Sequence, residues 1–211
     1  MTDVWSERAE TYRESEAHRS GRDLDLIVEW AEGETALDVA TGGGHVARRL
    51  REAGFQVVTV DPAPGMRADT TARAEDLPFA DGSFDTVVSR AAPHHFTDIA
   101  TAMAEMARVA RHLVIVADNL YLGETFEEAS RLHDPTHVRC YSEEEWRGLF
   151  AGAGLGVEAV EIEDKRIELE PWLARAGCSG EEADRVRELL ADRIEDGYLA
   201  LDRIVLKGRK A

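Results

Sequence analysis

Two carboxylates and a run of glycines carry the first chemical signal in this chain. Asp38 stands inside the apolar stretch Ala36 to Ala40, and Thr41-Gly42-Gly43-Gly44 follows it directly. A carboxylate in a buried strand is costly unless it is partnered. Asp38 is therefore either held by the amides of the turn or aimed at a ligand. Glycines let a ligand approach the backbone with no Cβ in the way, and a helix starting after them presents the positive end of its dipole. Asp61 ends the next apolar run, Gln56 to Val60. An acid at that position suits two vicinal ribose hydroxyls, since a carboxylate can accept a hydrogen bond from each. The combination points to a nucleotide-like cofactor.

The elements that must position these residues follow from periodicity. Trp5, Ala9 and Tyr12 share one helical face, Ser20-Gly21 breaks the pattern, and Leu24, Ile27, Val28 and Ala31 resume it. Tyr12 reads as a packing residue or as a lid over the ligand. Strands are expected at Ala36 to Ala40, Gln56 to Val60, Thr70 to Ala74, Phe84 to Ser89 and His112 to Ala117, with helices between them. Five such alternations imply a doubly wound, mostly parallel sheet with helices on both faces, an α/β fold of the Rossmann-like kind. Ligands then bind at the carboxyl ends of the strands, where the strand order switches. Gly42 to Gly44, Asp61, Ala74-Glu75 and Arg90 to His95 all lie just past strand ends. Beyond Asp118 the pattern loosens. Helices are expected at Glu124 to His133, after the capping-box start Ser142-Glu143-Glu144-Glu145, and at Glu181 to Ile194. Strands at Gly156 to Ile162 and Leu201 to Lys207 complete a seven-stranded sheet. With no repeats and no low-complexity linker, residues 1–211 read as a single domain.

Composition narrows the function. Of 211 residues 44% are apolar, so a globular core is expected. No stretch suits a membrane span, and the polar N-terminus lacks an apolar signal core. Two cysteines, Cys140 and Cys178, form neither a disulfide framework nor a metal motif, and a cytoplasmic protein is expected. A net charge of −17, with no basic run apart from Lys207, Arg209 and Lys210, argues against nucleic acid as a partner. A monomer or homodimer acting on a small molecule remains.

The glycine turn and distant acid fit NAD, FAD or S-adenosylmethionine. Gly42, Gly44 and Ala47 match the dinucleotide spacing only loosely. Three consecutive glycines leave the turn wide open where a pyrophosphate would be held, which favours S-adenosylmethionine. The segments LDVATGGGHVA, VVTVDPAPGM, AEDLPFADGSFDTVVSR, HHF and ARVARHLVIVAD together resemble the class I S-adenosylmethionine-dependent methyltransferases. Within them the chain is most similar to the branch of ubiquinone and menaquinone biosynthesis C-methyltransferases, over Trp5 to Asp118. HDPTHVRCYS further resembles an uncharacterised bacterial subgroup of that branch.

The resemblance implies a helical lid in residues 1–32, a cofactor-binding half in 33–120 and an acceptor-side half in 121–211. It implies that Asp38 orients the methionine amino group and that Gly42 and Gly44 pass close under the cofactor. Asp61 would bind both ribose hydroxyls, with Pro62 beside it. Ala74 would offer backbone to the adenine next to Glu75, the backbone near Arg90 would accept from the amino group, and Tyr12 would close over the methionine end. It also implies an antiparallel final strand. Three departures stand out. Ala40 replaces the first motif glycine, Arg73 replaces an acid that would reach the adenine amino group, and the usual Pro-Gly-Gly before the fifth strand is missing.

Methyl transfer is an in-line displacement of an activated leaving group, so alignment and exclusion of water lower much of the barrier. A base is needed only where the nucleophile must lose a proton. His94 is the candidate base, at the rim of the crevice beside His95; the alternatives are packing under the cofactor or capping the next helix. His133 and His137 stand four residues apart, but Pro135 breaks the helix between them and no third ligand follows by spacing, so no metal is expected. His137, a second catalytic candidate, either lines the acceptor pocket with Arg139 and Tyr141 or belongs to a loop joining the two halves. Cys140 reads as inert, and Trp146 and Trp172 as core residues. The expected activity is C- or O-methylation of a small molecule. The alternative is a protein of the same fold that binds the cofactor without transferring methyl, as a regulator or partner subunit.

Overall fold

The expected apolar runs pair into one sheet in the computed structural model, which describes residues 4–15 and 19–210. Strands β1 (Thr35–Val39), β2 (Gln56–Asp61), β3 (Thr70–Thr71), β4 (Phe84–Arg90) and β5 (Ala110–Asn119) run parallel in the order β3-β2-β1-β4-β5. Three later strands are β6 (Leu155–Glu168), β7 (Ile194–Glu195) and β8 (Tyr198–Lys210). β8 lies antiparallel between β5 and β6, and the two-residue β7 pairs with it. The antiparallel last strand is thus present.

The helices are α1 (Val4–Glu14), α2 (Arg22–Trp30), α3 (His45–Glu52), α4 (Ile99–Val109), α5 (Glu124–His133), α6 (Glu143–Gly152), α7 (Leu169–Ala176) and α8 (Gly180–Leu189). Alternation along the strands sends neighbouring side chains to opposite faces. Val88, Leu113 and Ile115 pack against Leu24, Ile27, Val46 and Leu50 of α2 and α3. Val87 and Val114 pack on the other face with Met103 and Met106 of α4 and Trp146 and Phe150 of α6. All seven residues of β4 are buried, as a strand covered on both faces requires. Strand order reverses between β1 and β4, which opens the crevice at their carboxyl ends.

The boundaries differ from expectation where polar residues hide the period. β3 shrinks to Thr70–Thr71, and β6 extends well past Ile162, because its far half alternates charged residues against β8 at the sheet edge. The helix expected through Ile194 stops at Leu189, and a 3-10 turn and β7 follow. α7 was not expected from the sequence; Pro171 sits in its first turn, where a missing N–H costs nothing. The capping box is present: Glu145 N–H donates to Ser142 Oγ (3.2 Å), and Ser142 N–H donates to Glu145 Oε2 (2.8 Å).

Ala40 has φ +56°, a left-handed conformation that costs an alanine free energy and a glycine almost none. Ala40→Gly is therefore expected to stabilise the protein by about 1 kcal/mol. Urea unfolding midpoints measure it; an unchanged or lower midpoint would show that the turn carries no strain there.

Candidate functional site

The carboxyl ends of β1, β2 and β4 open on a cavity of about 280 Å³. Its floor is the glycine turn. Gly42 and Gly44 have φ of +52° and +76°, and a Cβ on either would meet nothing within 4 Å. Gly43 is different: a Cβ there would come 2.6 Å from the Tyr12 carbonyl oxygen. The end of α1 thus rests on the turn, and His45 Nε2 lies 3.0 Å from the same carbonyl. α1 also packs in a small cluster of its own, Ala9 with Ala63 and Met66, flanked by Trp5 and Tyr12.

Both acids are buried in this wall. Asp61 accepts the Gly42 N–H on Oδ2 (3.0 Å) and the Ala63 N–H on Oδ1 (2.9 Å). Asp38 accepts the Thr41 hydroxyl (2.6 Å) and the Ala47 N–H (3.1 Å) on Oδ2, so donors of the turn and of α3 do hold it. Burial pushes its carboxyl up to about 6, against the pull of those two donors. A folded-state value raised in this way favours folding below the ordinary carboxylate range, and that stability is lost as pH rises through about 6. Relative to Asp38→Asn, the wild type is expected to lose about 2–3 kcal/mol between roughly pH 4 and pH 6. Urea unfolding of both proteins without cofactor across that range checks this, and a parallel pair of curves would contradict it.

The far wall holds Arg73, Ala74, Glu75 and Phe96. Glu75 Oε1 accepts the Thr97 N–H (3.0 Å) and the Asp98 N–H (3.3 Å), and Arg73 pairs with it at 3.1 Å. Glu75 therefore holds the start of α4 as well as facing the cavity. The Arg90 side chain turns away from the turn to a fully buried carboxylate, Asp23 on α2, with Nε to Oδ2 at 2.7 Å. Arg203 reaches the same carboxylate at 3.0 Å and Lys165 at 3.7 Å. Burial opposes ionisation of Asp23, but Arg203 and Arg90 overcome it and hold the group far below the usual carboxylate range.

A second cavity of about 80 Å³ shares Tyr12, Ala91 and His95 with the first and extends under α5 and α7. His94 lines it, with Nδ1 2.5 Å from Asp118 Oδ1. A carboxylate only accepts, so Nδ1 carries a proton toward Asp118. His95 Nδ1 lies 3.1 Å from the Thr136 carbonyl, and burial together with neighbouring His94 pushes it down to about 3. His137 also lines the cavity, its Nε2 3.0 Å from Glu127 Oε2. Glu127 also accepts the Cys140 N–H at 3.1 Å. Ligand atoms of Glu127, His137 and Cys140 lie within 4.8 Å of one another. Burial raises the Cys140 thiol well above its ordinary value, however, and these hydrogen bonds make the group a joint between α5 and the 134–142 loop. Val138 and Arg139 N–H groups donate to the His94 carbonyl, fixing the same loop from the other side.

A methyltransferase domain model matches residues 37–116, the stretch that supplies the lining of the first cavity apart from Trp5 and Tyr12. The uncharacterised methyltransferase YcgJ of Bacillus subtilis is 31% identical over 211 residues, covering 88% of this chain and 82% of that protein. The chain belongs to the S-adenosylmethionine-dependent methyltransferases. The crystal structure of YcgJ superposes with a TM-score of 0.80 at 25% identity, covering 89% of this chain and 97% of that one. Shorter similarities reach a demethylmenaquinone methyltransferase of Beutenbergia cavernae, 36% identical over 89 residues and 37% of each chain. A malonyl-[acyl-carrier protein] O-methyltransferase of Geobacter sulfurreducens is 33% identical over 174 residues, covering 69% of this chain and 64% of that protein.

The first cavity of this methyltransferase suits its cofactor. It offers a buried carboxylate, an open glycine floor and backbone groups at the ends of three strands. Of the residues expected to hold the cofactor, Tyr12, Asp38, Ala40, Gly42, Asp61, Pro62, Ala74, Glu75 and Arg90 line it. Gly44 does not; it caps α3. Trp5, which the sequence places only on a helix face with Tyr12, lines it too, as do His45 and Met66. On the second cavity, Trp172 stacks on His133 with ring centroids 3.6 Å apart; it packs against the core cluster of α5, α7 and α8, as expected, and also lines the cavity. Arg139 and Tyr141 stay outside it: Arg139 pairs with Glu145 at 2.7 Å and lies over the Tyr141 ring. Trp146 is fully buried, as expected.

Proposed function

We propose that this methyltransferase moves the S-methyl group of its cofactor to a carbon or oxygen of a small molecule seated in the second cavity. The observation that carries this reading is the shared wall. Tyr12, Ala91 and His95 border both cavities, so a cofactor held over the glycine turn would have the second cavity as its neighbour across that wall. The bound cofactor supplies an electrophilic methyl on a sulfonium that leaves as a neutral thioether.

The chain's own residues do the rest. Asp61 takes the ribose hydroxyls, Asp38 and the turn place the methionine end, and α1 covers it as a lid resting on Gly43. His94, with its tautomer fixed by Asp118, takes the proton on Nε2 when the nucleophile has one to lose. His95 stays neutral at physiological pH and adds no charge beside the sulfonium. Two buried free thiols, Cys140 and Cys178, suit a reducing compartment such as the cytoplasm. Among the described residues no helix is long and apolar enough to cross a membrane.

The test is transfer of labelled methyl from S-adenosylmethionine to fractionated small metabolites. Label in a small-molecule fraction supports the proposal. Tight S-adenosylhomocysteine binding with no transfer to any pool would instead leave a cofactor-binding protein without this activity.

A further inference from the structure

The second cavity has an electrostatic character that methyl transfer alone does not require. The chain carries a net charge of −17, yet Lys165, Arg175 and Arg203 all line this small space. Among the described lining residues the single carboxylate is Asp134, and it is already committed. Its Oδ2 pairs with Arg8 at 3.0 Å, and its Oδ1 accepts the Thr136 N–H (3.0 Å) and hydroxyl (2.8 Å). Arg203 has its charge paired by Asp23 and gives a second hydrogen bond to Asn119 Oδ1 at 2.9 Å, which leaves its buried Nε without a partner. Lys165 has only a distant share of Asp23, at 3.7 Å, and burial pushes its amine down to about 8.

Arg175 is the uncompensated group. It stands in the last turn of α7, half-buried, and among the described residues it makes no hydrogen bond and no ion pair. The carboxyl end of a helix favours a cation, but Arg175 does not bond the terminal carbonyls; the Gly177 N–H takes that of Ala174. Burial lowers the guanidinium below its ordinary range. A cation withdrawn from water with no counter-charge is costly, and an anion restores the balance.

We infer that the acceptor carries a carboxylate, and that Arg175, assisted by Lys165, binds it in the second cavity. The inference rests on the reading of that cavity as the acceptor site. A planar carboxylate matches the guanidinium fork with two parallel hydrogen bonds. Phe126, Ile167, Trp172 and Leu201 line the same space and give the body of a small organic acid an apolar seat. The volume of about 80 Å³ suits such a molecule and not a long lipid chain. A larger outer cavity of about 890 Å³ shares Lys165, Ile167 and Arg175 with the inner one, so both cations are reached from outside.

The experiment titrates propionate, butyrate and benzoate, each paired with its primary amide, and phenylphosphonate into protein saturated with S-adenosylhomocysteine. At least one carboxylate is expected to bind about tenfold or more tighter than its amide. Arg175→Met is expected to abolish that preference, and Arg175→Lys to restore part of it, with affinity for S-adenosylhomocysteine unchanged in both. Carboxylates bound no better than amides, a preference that survives in Arg175→Met, or a phosphonate bound more tightly than benzoate would each overturn the inference. Binding is read separately from turnover. Carboxylate binding without methyl transfer to any pool would count against the methyl-transfer reading, whereas labelled uncharged products with no carboxylate binding would count against this inference alone.

Discussion

Asp61→Ala is expected to weaken S-adenosylhomocysteine binding by about 3 kcal/mol, more than a hundredfold, because the two hydrogen bonds proposed from the ribose hydroxyls to this buried carboxylate would disappear together. The same carboxylate anchors the Gly42 and Ala63 amides, so part of any loss belongs to the turn. Two controls separate the effects. Asp61→Asn keeps one accepting oxygen and is expected to lose less. The wild type is also expected to prefer adenosine to 2′-deoxyadenosine, and Asp61→Ala to lose that preference. Calorimetry reads all of these. Unchanged affinity, or an undiminished preference for the ribose, would place the sugar elsewhere.

The second large effect belongs to His94. His94→Gln is expected to lower kcat by about 10²–10³, the usual worth of a positioned base, with affinity for S-adenosylhomocysteine unchanged. Asp118→Asn tests the orienting partner. An amide in place of the carboxylate can donate to Nδ1, which would move the ring proton to Nε2 and leave no lone pair there to take a proton from an acceptor. It is expected to lower kcat by a similar factor while leaving KM for the cofactor alone. With both variants folded, as judged by their unfolding midpoints, an unchanged kcat would make the pair a structural contact at the edge of β4 and β5.

What the sequence discloses here follows from locality. The glycine turn, Asp61 and the five strand ends are short-range patterns, and parallel topology alone brings them to one crevice. The partners of those residues are not local. His94 meets Asp118 because β4 and β5 lie side by side, with Arg90 opposite Ala117. A carboxylate at the end of β5 and a histidine just past β4 were both visible; only the strand order joins them. Asp23 reads as one polar residue on an amphipathic helix, yet it is the buried hub for Arg90, Arg203 and Lys165, whose strands are far away in sequence. The acceptor side was least legible. α7 and the far half of β6 have mixed polar patterns, so neither Trp172 nor Arg175 carries a signal that it faces a cavity. His137 was visible as a histidine near a helix end, but its attachment to Glu127 depends on how the 134–142 loop folds back on α5.

The central claim is that the cofactor presents its methyl group to the second cavity across the wall of Tyr12, Ala91 and His95. A crystal structure with S-adenosylhomocysteine measures this directly. The ribose hydroxyls are expected on Asp61 and the sulfur at that wall, facing His94 and the acceptor cavity. A sulfur turned toward solvent, or a ribose bound away from Asp61, would contradict the account.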